Sequence, residues 1–207
     1  MPPGSTRLIM IRHGITDWNR EHRFQGQIDI PLCAEGEQQA ERLGARFDAS
    51  FDISAIYSSD LRRAYRTAEP IAIRRGLPIR TEVGLRERAF GQFEGMTLDE
   101  IQRTHAEQYR RWRAREPDFA IAGGGETLSG FYGRVTETMT RLANAHSEQA
   151  IVLLTHGGVL DCAYRAAGTV ALSDPFRPPL LNSAVNLLLY RKGHFELESW
   201  GDIEHLC

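Results

Sequence analysis

The chain has 207 residues, 42% of them hydrophobic and 25% charged, a balance that supports one packed domain and excludes a disordered or fibrous chain. Its 25 Lys and Arg against 27 Asp and Glu leave a net charge of -2, so no overall field favours nucleic acid or an anionic membrane, and any anion site must be local. Apolar runs such as Ile151 to Leu154 and Leu187 to Tyr190 fall far short of the roughly 20 residues that span a bilayer, and the N-terminus lacks the pattern of a secretory signal; a cytosolic protein is expected.

From Thr6 to Arg12 the run TRLIMIR is apolar and β-branched, which predicts a strand covered on both faces. It ends at His13-Gly14, and a long polar loop runs on to Pro31. Ala40, Leu43, Gly44 and Phe47 then recur at helical spacing within EGEQQAERLGARF. Ile53 to Tyr57 predicts a second strand, and Ser58, Ser59 and Asp60 offer capping side chains to a helix bearing Leu61, Ala64 and Ala68. Gly76 and Pro78 interrupt, a short extended piece follows, and LRERAFGQFEG leads to helical segments between Thr97 and Arg115.

Gly123, Gly124 and Gly125 predict a rim turn before a helix with Leu128, Phe131, Val135, Met139 and Leu142 on one face. Ile151 to Leu154 predicts another buried strand, ending at Thr155-His156-Gly157-Gly158 ahead of an Ala-rich helix. Ala184 to Tyr190 and His194 to Trp200, joined by Arg191-Lys192-Gly193, read as a hairpin. The alternation predicts an α/β fold, a three-layer α/β/α sandwich with a mostly parallel sheet and a C-terminal hairpin at its edge. Ligands of such sheets bind outside the carboxyl ends of the strands.

Two of the predicted strands end alike, in IMIRHG and VLLTHGG. A lone histidine at a strand end is commonly structural, but His13 and His156 would project together, each beside glycine that lets backbone approach a ligand. Arg12 and an arginine of YSSDLRRAYRTAE would make this edge cationic, and the planar guanidinium fork suits phosphate. Taken singly, Arg62, Arg63 and Arg66 read as a solvated helix face. Cys33, Cys162 and Cys207 are odd in number and widely spaced, which suits a reducing compartment and assigns them no role. His22, His105, His146, His194 and His205 fit no site and are expected on the solvated surface; no metal-ligand spacing occurs, so neither metal nor cofactor is expected.

Arg12-His13-Gly14, WNREHRFQGQIDIPL, SSDLRRAYRTAE, LRERAFGQFEG, GGGETL and THGG stand in the order found in the histidine phosphatase superfamily, which the chain resembles from about Leu8 to Asn186. The resemblance implies a phosphoglycerate mutase-like fold over residues 1–207, with a lid-like insertion at about 91–125. It implies that His13 is the nucleophile that becomes phosphohistidine and Glu87 the carboxylate that moves the proton. Arg12, Arg63 and His156 match the phosphate pocket, with Arg63 rather than Arg62 the second arginine. Asn19, Gln25 and Gly157 fall where relatives meet the phosphate or substrate.

These roles also make physical sense. A neutral imidazole is a competent nucleophile near neutral pH if one nitrogen is free, and flanking arginines both disfavour its protonation and hold a dianion in line. The leaving oxygen needs an acid, which Glu87 can be only while it carries a proton.

The expected activity is hydrolysis of a small phosphorylated metabolite with release of inorganic phosphate. The alternative, a mutase of the phosphoglycerate type, would use the same pocket. Glu87 and His156 stand only 69 positions apart, an interval shorter than in the cofactor-dependent mutases, and a shorter lid admits water to the phosphohistidine. A binding module without turnover would lack a nucleophile or acid, and this chain has both. A homodimer is left open, and so is the identity of the phosphomonoester.

Overall fold

The computed structural model describes residues 2–47, 52–176 and 178–207. In chain order its elements are β1 Ser5–Arg12, α1 Asp17–Arg20, α2 Ala34–Arg46, β2 Ala55–Ser58, α3 Arg62–Arg75, β3 Ile79–Thr81, α4 Leu98–Thr104, α5 Ala106–Arg113, α6 Leu128–Asn144, β4 Ala150–Thr155, α7 Gly157–Gly168, β5 Val185–Arg191 and β6 His194–Asp202. The six strands form one sheet in the order β3-β2-β4-β1-β5-β6. The first four are mutually parallel, and the β5-β6 hairpin is added antiparallel at one edge.

Alternating side chains of β1 and β4 explain the layers, because successive residues of a strand face opposite sides. Leu8, Met10, Ile151 and Leu153 face α6 and α7, where they pack with Phe131, Val135, Met139, Leu142, Val159 and Leu160. Ile9, Ile11, Val152 and Leu154 face α2 and α3, meeting Leu43, Phe47, Ala64, Ala68 and Ile71. Both faces are therefore covered, as the continuous apolar runs require. The segment after Glu87 has a smaller apolar cluster of its own, with Phe93, Ile101, Phe119 and Ile121 packed against Phe24, Phe90, Tyr109 and Trp112. It stands over the carboxyl edge of the sheet.

Three local expectations need correction. The polar loop after His13 contains the short helix α1, where Thr16 and Asn19 form a reciprocal capping box; four residues carry too little periodicity to be seen in sequence. Ser58 and Asp60 do not cap α3, since the Ser58 hydroxyl bonds Ser59 O and Asp60 pairs with Arg86. The free amides there are taken by Ser59 Oγ, which accepts Leu61 N–H, and by Asp29 from the preceding loop, which accepts Arg62 N–H at 2.7 Å. Finally, His105, His146 and His205 are half-buried rather than solvated, with His146 between Tyr57 and Gln149 and His205 against Arg46. Among the described residues no helix is long and apolar enough to cross a membrane.

Candidate active site

The parallel register places the site. Arg12 of β1 pairs with Thr155 of β4, and His13 N–H donates to Thr155 O at 2.9 Å. The next residue of each strand is thus a histidine, and the two rings lie with centroids 5.2 Å apart. Both are buried, His13 at 3% exposure and His156 at 0%.

The His13 ring is oriented by its own backbone. Nδ1 lies 2.7 Å from Gly14 O, and because a carbonyl can only accept, Nδ1 carries the hydrogen. Nε2 is left with its lone pair. Burial, then the charges of Arg63 and Arg12, push the ring's pKa well below the ordinary imidazole range, so the neutral ring with a free nitrogen is the form present at neutral pH. Asn182 Nδ2 donates to His13 O at 2.9 Å and fixes the backbone from the far side.

A cavity of about 90 Å³ opens in front of this ring, lined by Arg12, His13, Asn19, Arg23, Gln25, Gly26, Arg63, Glu87 and Phe90. Arg63 is fully buried. Its Nη1 and Nη2 donate to Ile28 O and Gly26 O, leaving Nε without a partner. Desolvation lowers its pKa to about 10, so it stays charged at neutral pH. Arg12 donates through Nη1 to Leu180 O, its Nε also unpartnered. It lies across Gly157, where an added Cβ would sit 3.5 Å from Nε. Arg62, by contrast, is exposed and paired with Asp29.

Glu87 is held by two amides, Arg88 N–H on Oε1 at 2.8 Å and Gly158 N–H on Oε2 at 3.0 Å. Gln27 and Arg134 donate to its carbonyl. Asn19 caps α1 and receives Thr16 N–H on Oδ1, while Gln25 Nε2 donates to Thr16 Oγ1 at 2.8 Å and its Oε1 is buried without a partner. Arg12, His13, Asn19, Gln25, Arg63 and Glu87 therefore share one cavity; the His156 ring adjoins that of His13, and Gly157 lies beneath Arg12.

Several contributors went unread in the sequence. Asn182 sits in a proline-rich stretch with no periodicity, and Ser59, which lies 2.9 Å from His156 Nε2, was read only as a helix cap. Thr67 accepts Gly14 N–H at 3.0 Å and donates to Arg63 O, a threonine on the inner face of α3 whose sequence neighbours give no hint of it. Arg23 and Phe90 were visible as matched-segment residues but carried no assigned role.

A buried neutral imidazole with a free nitrogen, flanked by the buried Arg63 and the half-buried Arg12 at the carboxyl edge of a parallel sheet, is a site suited to an anion such as phosphate in an α/β enzyme. The model of the histidine phosphatase superfamily (branch 1) matches residues 8–203, and the chain belongs to that superfamily. It is 37% identical over 201 residues to phosphoglycerate mutase-like protein 4 of Arabidopsis thaliana, covering 96% of this chain and 86% of the relative. To a metal-independent phosphoserine phosphatase of the same plant it is 33% identical over 202 residues, 97% of this chain and 83% of the relative. The solved structure of Bacillus stearothermophilus YhfR superposes with a TM-score of 0.89 at 33% identity, covering 98% of this chain and all of that one. The protein is a histidine phosphatase, for which phosphomonoester hydrolysis is the fitting activity.

Proposed function

We propose that the chain hydrolyses a small phosphorylated metabolite in two steps, through a phosphoryl group carried on His13 Nε2. One observation carries this reading. Arg12 Nε and Arg63 Nε are buried donors without a partner, and the buried ring nitrogen His156 Nδ1 is likewise unpartnered, beside a neutral imidazole with a free nitrogen. Buried polar groups are ordinarily paired, and like charges gathered this way call for an anion between them.

In the first step Nε2 attacks phosphorus while the two guanidinium groups hold the equatorial oxygens, where the charge of a loose transition state resides. Glu87, seated by the Arg88 and Gly158 amides, gives its proton to the departing oxygen. In the second step the resulting carboxylate takes a proton from water as that water attacks phosphorus, the phosphorus–Nε2 bond breaks and inorganic phosphate leaves. Turned about its terminal bond, the Gln25 amide would offer its NH2 to the anion and present Oε1 to Thr16 Oγ1, whose hydrogen would turn from Asn19 Oδ1 to meet it. Asn19 and Gly157 support this wall through α1 and Arg12.

Residues 91–125 act as the lid in this reading. The short interval from Glu87 to His156 favours water over a second hydroxyl of the substrate as phosphoryl acceptor, so hydrolase is preferred to mutase. All the residues invoked belong to one chain, and the three free cysteines Cys33, Cys162 and Cys207 suit a reducing compartment such as the cytosol.

The test is to incubate the protein with a 32P-labelled phosphomonoester, beginning with phosphoserine because a relative's name carries it. The reaction is quenched without acid, and the labelled peptide is mapped. Label on His13, with no label and no turnover in folded His13→Ala, is expected. Label elsewhere, or turnover surviving the substitution, overturns the proposal.

A further inference from the structure

Three adjacent parallel strands, β2, β4 and β1, end side by side, and the residues that follow them are Ser59, His156 and His13. The two ring nitrogens of His156 have different surroundings. Nε2 lies 2.9 Å from Ser59 Oγ, whereas Nδ1 has no partner. Which of them carries the ring hydrogen depends on what the serine hydroxyl does, because a neutral imidazole has one donor and one acceptor nitrogen.

The hydrogen-bond accounting at Ser59 decides this. The residue is fully buried, and its Oγ already accepts Leu61 N–H at 3.3 Å. The neighbouring Ser58 hydroxyl is committed to Ser59 O at 2.8 Å. If His156 Nε2 carried the hydrogen it would donate to the same Ser59 oxygen. The serine's own hydrogen would then have no acceptor among the described residues, and an unmade bond in a buried position is costly. If the hydroxyl donates to Nε2 instead, Ser59 and Nε2 are both used and the ring hydrogen lies on Nδ1, where an anion in the pocket would accept it.

We infer that Ser59 is a positioning residue that holds His156 in the Nδ1–H tautomer, so that a neutral imidazole donates a hydrogen bond to the phosphoryl group in front of His13. The inference rests on reading that pocket as a phosphoryl site. A neutral donor is what the location requires. Burial, with Arg63, His13 and Arg12 nearby, keeps His156 well below the usual imidazole pKa, so protonation does not supply a donor at neutral pH. In the other tautomer an Nδ1 lone pair would confront the lone pairs of a phosphoryl oxygen. Because Oγ also accepts from Leu61, the residue just before α3, the one hydroxyl ties the start of the helix bearing Arg63 to the ring of His156.

The tautomer can be read directly by long-range 1H–15N correlation spectra of 15N-histidine-labelled protein saturated with inorganic phosphate. Wild type is expected to show His156 protonated at Nδ1. Ser59→Ala should shift the ring toward Nε2–H and lower kcat/KM on the order of 10²-fold, the usual effect of losing one transition-state donor. Ser59→Thr, which keeps the hydroxyl, should restore both. Nε2–H in the wild type overturns the inference whether or not any variant folds. So does Ser59→Ala with Nδ1–H and wild-type kcat/KM. A wild type lacking phosphatase activity altogether would defeat the functional reading instead, and the spectrum would still report the tautomer.

Discussion

Gly14→Ala tests whether close backbone packing sets the nucleophile. Gly14 has no positive φ, so its demand is for space. A Cβ there would lie 2.6 Å from Gly36 O and 3.1 Å from Gly36 Cα, and a Cβ on Gly36 would lie 2.1 Å from Ile15 O. The loop after β1 thus rests directly on the first turns of α2, with no flexible side chain to yield. Ordinary contact begins near 3.4 Å, so the loop must retreat by about 0.8 Å. Gly14 O, the acceptor that orients the His13 ring, moves with it. Displacements approaching 1 Å cost about 10²-fold in reactions that depend on alignment. Overpacking costs about 1–3 kcal/mol, which at this chain length lowers Tm by about 2–12 °C. The expected result is kcat/KM for para-nitrophenyl phosphate reduced about 10²-fold, with thermal unfolding shifted down in that range. Wild-type kcat/KM together with wild-type Tm would refute the reasoning.

Three further outcomes follow from the same geometry. Arg63→Ala should lower kcat/KM by about 10²- to 10³-fold, whereas Arg62→Ala, which loses an exposed pair with Asp29, should change it little; equal losses would move the anion site onto the outer face of α3. Glu87→Gln should slow the first phosphoryl transfer by about 10²- to 10⁴-fold for an alkyl phosphate and far less for para-nitrophenyl phosphate. The comparison is made on the burst of nitrophenol and on single-turnover alcohol release, and equal losses would transfer the acid role away from Glu87. The pH dependence of stability has a definite sign. His13 and His156 have folded pKa values below their unfolded ones, so the unfolded chain binds more protons as pH falls through about 6.5. The stability present above that pH is then lost on acidification, by up to about 1.4 kcal/mol per pH unit for each histidine, and half-buried His205 adds in the same direction. Urea unfolding between pH 7 and 5 measures the slope, and a flat profile would contradict the burial of these rings.

The strands were legible because their signal is local. Both faces of β1 and β4 are apolar, so the runs themselves announce a covered parallel sheet, and the glycines at Gly76 and Gly193 mark their turns through a left-handed φ. The candidate site residues were legible as motifs in order, and the motif pointed to Arg63, which lines the cavity, rather than to its exposed neighbour Arg62. Strand order was not, because pairing joins segments far apart in the chain, such as Arg12 with Thr155. That pairing brings His13 and His156 within contact, and no composition or spacing reports it.

Hydrogen-bond partners across the site were equally hidden. Asn182 reaches His13 O over 169 positions, and Ser59 meets His156 over 97. A serine before a helix reads locally as a cap, since only its near neighbours are visible in sequence. The sequence by itself determined which residues can attack, hold charge or move a proton, since those are properties of side-chain type. Which nitrogen of each histidine is free, and which guanidinium edge faces the pocket, was decided only by tertiary structure: each depends on carbonyls and hydroxyls supplied by other segments once the chain has closed around them.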